Sequence, residues 1–180
     1  MKWGNNRSLD FSHRALVMGI INCTPDSFYP GSRVPQSADA ATTARQMILD
    51  GVDILDIGGE STRPGSDPVD AEKEIRRVVP VIEAIRAESN ILISIDTKKA
   101  AVARAAIEAG ADIINDISAL CADSGMAPLA ASAEVPVVLM HMRGTPKDMQ
   151  TNPYYDDAAV EVITELLDRV ESAAREGIER

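Results

Sequence analysis

Gly51–Ser66, GVDILDIGGESTRPGS, decides the architecture. Val52 to Ile57 is a short apolar run with β-branched residues, the composition of a strand buried on both faces as in a parallel sheet. Gly58-Gly59 then bends the chain and opens its backbone, and Glu60-Ser61-Thr62-Arg63-Pro64-Gly65-Ser66 sets an acid, three hydroxyls and a guanidinium on one loop. In parallel α/β proteins the C-terminal ends of the strands open onto one face, and chemistry collects there. A solvated turn is the alternative reading, but plain turns rarely combine Gly-Gly with Ser-Thr-Arg-Pro-Gly.

Outward from this stretch, strands and helices alternate. A strand is predicted over 14–22 (RALVMGIIN), followed by a loop carrying Pro25, Pro30 and Gly31 and a helix over 38–50. Asp67-Pro68 reads as the cap and first residue of a second helix, with a kink or break expected at Pro80 because proline removes a backbone donor. Residues 91–95 form the next strand, and Asp96-Thr97 is expected to cap an Ala-rich helix over 98–109 closed by Gly110. Strands over 111–115 and 135–140, a short helix over 128–133 and an amphipathic helix over 156–176 complete five units. Polar residues stand at every strand end: Asn22, Gly58 to Arg63, Asp96, Asn115 and His141. An open sheet gathers its ligand groups at one switch point, whereas a (β/α)8 barrel of the TIM type gathers them from many strands, so the pattern favours a barrel. Only five of the eight units are present in this α/β domain, taken as one unit over 1–180.

The 180 residues carry 18 Lys and Arg against 28 Asp and Glu, a formal net charge of -10 that disfavours nucleic acid and acidic membranes as partners. Aromatic residues make up 3%, too few for base-stacking platforms. No signal-like or membrane-spanning apolar run is found, so a cytoplasmic protein is expected. Cys23 and Cys121 form no CxxC pair and are expected to be buried, reduced thiols. His141 lacks a second histidine or cysteine at metal-ligand spacing and reads as a rim residue satisfied by hydrogen bonds.

Asp96 and Asn115, at the ends of neighbouring strands, pair a carboxylate with an amide, which suits a 2-amino-4-oxo heterocycle. Capping by Asp96 and turn closure by Asn115 would explain the same spacing. Five stretches then resemble dihydropteroate synthase: Met18 to Phe28 (MGIINCTPDSF), GGESTRPGS, Ser94-Ile95-Asp96-Thr97, Ile113 to Ile117 (IINDI) and Leu139 to Pro146 (LMHMRGTP).

The resemblance implies an enzyme of folate biosynthesis that condenses 6-hydroxymethyl-7,8-dihydropterin pyrophosphate with p-aminobenzoate and releases pyrophosphate. It implies Asn22 as a ligand of Mg²⁺, Asp96 and Asn115 as the pterin-holding pair, and Thr62 and Arg63 on the pyrophosphate. Asp96 and Arg63 are thereby the expected catalytic residues. It also implies Pro25, Asp26, Phe28 and Pro64 as walls around p-aminobenzoate, and a homodimer. The chain departs from the family after Phe28, where Tyr29-Pro30-Gly31-Ser32-Arg33 replaces Ser-Asp-Gly-Gly. By the same resemblance a sixth strand would begin near Arg180. The barrel is therefore expected to be C-terminally incomplete, with exposed sheet edges and weak or no activity alone. A non-catalytic pterin-binding module and the pterin domain of a folate-dependent methyltransferase remain alternatives.

Overall fold

A computed structural model describes residues 1–4, 7–24, 36–61, 67–145 and 148–179. The elements are β1 (Lys2–Trp3), β2 (Arg7–Ser8), β3 (Met18–Asn22), α1 (Gln36–Leu49), β4 (Ile54–Gly58), α2 (Ala71–Glu88), β5 (Leu92–Asp96), α3 (Ala100–Glu108), β6 (Ile113–Asp116), α4 (Met126–Ala133), β7 (Val137–Leu139) and α5 (Ala158–Arg175). Strands β3 to β7 form one parallel sheet in sequential order, each followed by a helix, as barrel construction requires.

Alternation along the strands separates two faces. Ile21, Leu55, Ile57, Ile93, Ile95 and Ile114 pack with Val78, Ile82 and Val102 of the helices in one buried core. The opposite face, the barrel lumen, carries Ile20 and Val138, which are 61% and 44% exposed on the two edge strands. The apolar residues Val160, Ile163 and Leu167 of α5 are exposed as well.

Several local expectations are corrected. A two-stranded antiparallel hairpin, β1 with β2, precedes the barrel; strands of two residues carry too little periodicity to be read. Arg7 fastens it to the strand bottoms, donating to the carbonyl of Asn90 at 2.7 Å and pairing with Asp112 at 2.8 Å. The first strand begins at Met18, not at residue 14. The cap of α2 is Asp70, whose carboxylate accepts from the Lys73 amide, rather than Asp67. Pro80 does not divide α2; it sits on the exposed face, where water can take the Arg76 carbonyl that it leaves unpaired. Asp96-Thr97 does not cap α3, whose first amide, Ala100, donates instead to Asp123 at 2.8 Å. Gly110 follows α3 with φ +113°, and Gly177 follows α5 with φ +93°, as helix-ending glycines should. Both cysteines are free, but only Cys23 is buried; Cys121 is exposed. No helix is long and apolar enough to cross a membrane.

Candidate active site

The strand register lines up the polar ends in a single row. Asn22 pairs with Gly58, Gly58 with Asp96, Asp96 with Asn115 and Asn115 with Val138. Residues in register on parallel strands share a face, so Asn22, Asp96 and Asn115 stand together at the lumen mouth. Gly58 is the gap in that row: a Cβ there would lie 3.5 Å from Asp96 Oδ2 and 3.7 Å from Asn22 Oδ1. The pair read from the sequence is therefore brought together, and Asn22 with it. Pro25, Asp26, Phe28, Thr62, Arg63 and Pro64 lie outside the described residues.

Beneath this row lies another, made of Ile20, Asp56, Ser94 and Ile113. Asp56 is 4% exposed, and its Oδ2 accepts a hydrogen bond from Asn115 Nδ2 at 3.1 Å. Asp56 Oδ1, Ser94 Oγ and Asp96 Oδ1 are buried without a hydrogen-bond partner among the described residues. Burial pushes the Asp56 carboxyl up, outweighing Ser94 and Asn115 beside it. Asp96 is pushed up to about 7, first by burial and then by the charges of Asp56, Glu74, Asp116 and Glu60. A carboxyl so raised, at a mouth with unused acceptors, is prepared to meet a ligand that donates N–H groups.

Asp56 was not singled out in the sequence. The signal was available: an acid in an otherwise apolar strand, two residues before Gly58 and so on the same face.

Behind the mouth, a second set of carboxylates is fully partnered. Glu74 of α2 is wholly buried; its Oε1 accepts from the Thr97 hydroxyl at 2.7 Å and its Oε2 from Lys99 Nζ at 2.5 Å. Glu60 accepts from Lys99 Nζ at 2.5 Å, from Lys98 Nζ at 2.9 Å and from the Val69 amide at 2.9 Å. Burial alone would raise Glu60, but the two lysines and the amide hold it below the usual range. Arg77 adds a bond to the Gly59 carbonyl at 2.6 Å, fixing the chain where it leaves β4. Glu60 of the opening stretch is thus a structural anchor.

On the far side, a cleft of about 420 Å³ lies among Lys98, Ser118, Cys121, Met140, His141 and Glu165. His141 Nε2 meets Glu165 Oε2 at 2.7 Å, which satisfies the histidine as expected. Arg143 binds Glu161 at 2.7 Å and also Glu165, and lies 4.1 Å over the Tyr155 ring. Burial pushes the Cys23 thiol up to about 12, despite the charge of Arg77, so it is no thiolate nucleophile. Among the described residues no group of three or more His, Cys, Asp or Glu could hold a metal ion.

The sequence pattern of the pterin binding enzymes matches residues 18–180. The chain is 51% identical over 168 residues to the folic acid synthesis protein fol1 of Schizosaccharomyces pombe, covering 92% of this chain and 23% of that protein. It is 46% identical over 171 residues to the dihydropteroate synthase of Escherichia coli, covering 95% of this chain and 60% of the relative. A crystal structure of Xanthomonas albilineans dihydropteroate synthase with 4-aminobenzoic acid superposes with a TM-score of 0.86 at 46% identity, over 93% of this chain and 59% of that one. The chain thus spans about three fifths of the length of these two dihydropteroate synthases, and its five units share the fold of the part that they match.

Proposed function

The chain belongs to the pterin binding enzymes, and on that premise we propose that it serves dihydropteroate synthesis. In that reaction the amine of p-aminobenzoate attacks the methylene carbon of 6-hydroxymethyl-7,8-dihydropterin pyrophosphate. The C–O bond to pyrophosphate breaks, and the amine loses a proton. The observation that carries the reading is the mouth row of Asn22, Gly58, Asp96 and Asn115, with the unpartnered Oδ1 of Asp96.

Asp96 accepts N–H groups of the pterin, and its charge offsets the positive charge that develops on the ring as pyrophosphate leaves. Asn115 completes the recognition with an amide. Asn22 offers one exposed hard oxygen beside the gap at Gly58. That single oxygen fits Mg²⁺, which keeps waters and phosphate oxygens for its other positions and, when bound, neutralises charge on the pyrophosphate. Arg63 and Thr62 hold the pyrophosphate end, and Pro25, Asp26, Phe28 and Pro64 enclose p-aminobenzoate, as the resemblance implies. The two carbon and nitrogen centres react directly, so no enzymic nucleophile is needed. The reading carries with it a cytoplasmic location, one domain over 1–180 and a homodimer.

The test is a calorimetric titration of the chain with the pterin pyrophosphate, with and without Mg²⁺. Saturable binding that Asp96→Ala abolishes and Mg²⁺ strengthens supports the reading. A folded chain that binds equally well as Asp96→Ala overturns it.

A further inference from the structure

We propose that Asp56 is a positioning residue that fixes the flip state of the Asn115 amide, so that a ligand meets its oxygen and its second N–H in one order. The proposal rests on reading the mouth row as the pterin-holding site.

An asparagine amide has two orientations of nearly equal shape, and its hydrogen-bond partners decide between them. Here the partner is a carboxylate 3.1 Å from Nδ2. Ionised, Asp56 only accepts, so the flipped amide would set its oxygen against the Asp56 oxygen. One N–H is thus spent downward, while Asn115 Oδ1 and the second N–H stay free for the mouth. A solitary acid in a buried β-strand is costly and contributes nothing to packing. Among the described residues its other oxygen, Oδ1, has no partner, nor has the neighbouring Ser94 hydroxyl. Among the described residues the bond to Asn115 reaches this buried carboxylate from the mouth row, while Ser94 lies beside it in its own row. A fixed order of donor and acceptor discriminates between heterocycles in which that order is exchanged, since the wrong one leaves buried polar groups unpaired.

The test uses the whole chain. The Asn115 side-chain ¹⁵N–¹H pair, assigned by its loss in Asn115→Asp, should show one downfield, slowly exchanging proton. In Asp56→Asn, a near-isosteric change, that proton should move upfield and exchange about tenfold faster. The ratio of affinities for 2-amino-4-oxopteridine and 2,4-diaminopteridine should fall about tenfold in Asp56→Asn, a change of about 1.4 kcal/mol. Ser94→Ala, in the same row, should leave the ratio unaltered. An unchanged amide signal, an unchanged ratio, or an equal loss in Ser94→Ala overturns the proposal. Binding of neither pteridine by the unsubstituted chain overturns instead the pterin reading of the row, and the amide signal alone then decides whether Asp56 holds Asn115.

Discussion

Two groups of buried carboxylates adjoin at the ends of β4 and β5, and they are treated in opposite ways. Glu60 and Glu74 are met by Lys98, Lys99, Thr97 and the Val69 amide. Asp56 and Asp96 face no cation in the described lumen, and each keeps one oxygen without a partner. The pKa directions follow: Glu60 is held low and Asp96 is pushed up to about 7. A carboxylate whose needs are met within the chain holds the fold, whereas one left wanting donors waits for them from outside.

Breaking the satisfied cluster should cost most. Lys99→Met leaves Glu74 buried without its cation, and should lower the unfolding free energy by about 3–5 kcal/mol in urea titration. Adding Glu74→Gln to Lys99→Met should recover part of the loss. A double variant no more stable than Lys99→Met alone would show that the two groups are not coupled.

The mouth responds to pH instead. The folded chain holds the Asp96 proton up to about pH 7 against an ordinary 3.8. Its stabilising contribution is therefore complete below the ordinary value and lost as pH rises towards 7, on the order of 4 kcal/mol in all. Asp96→Asn should remove that slope from a series of unfolding curves and leave the variant the more stable protein at neutral pH.

Adjacent glycines sharpen the same contrast. A Cβ on Gly59 would come within 2.8 Å of Glu74 Cγ and of Val78 Cγ1. Gly59→Ala should therefore cost about 1–3 kcal/mol of stability. On Gly58 the nearest atoms are 3.5 Å away, in the gap between Asp96 and Asn22. Gly58→Ala should change stability by no more than about 0.5 kcal/mol yet weaken pterin binding in calorimetry. The smallest effect is chemical: a thiol reagent should modify exposed Cys121 at once and buried Cys23 only on unfolding, as peptide mass mapping would show.

The strand–helix alternation was legible because each strand of the sheet is an apolar run ending in polar residues. The mouth row was legible too, since Asn22, Asp96 and Asn115 are short polar side chains at those ends. What escaped has little periodic signal. The hairpin at Lys2–Ser8 is too short, and the caps at Asp70 and Asp123 depend on how the chain turns in space. Asp56 was passed over because it lies inside the strand and not at its end, although its apolar company marks it. The partnership of Glu60 with Lys98, Lys99 and Glu74 joins residues up to 39 apart in sequence, a distance that no local pattern spans.

The most direct measurement is carboxyl ¹³C NMR across a pH titration, with and without the pterin pyrophosphate. Without ligand, Asp96 should titrate near 7 and Glu60 below the usual glutamate range. Ligand should draw the Asp96 midpoint down, because N–H donors favour the ionised carboxylate, and leave Glu60 where it was. An Asp96 that titrates in the ordinary range, or a ligand that shifts Glu60 and not Asp96, would contradict the division between a carboxylate pair that holds the fold and one that awaits a ligand.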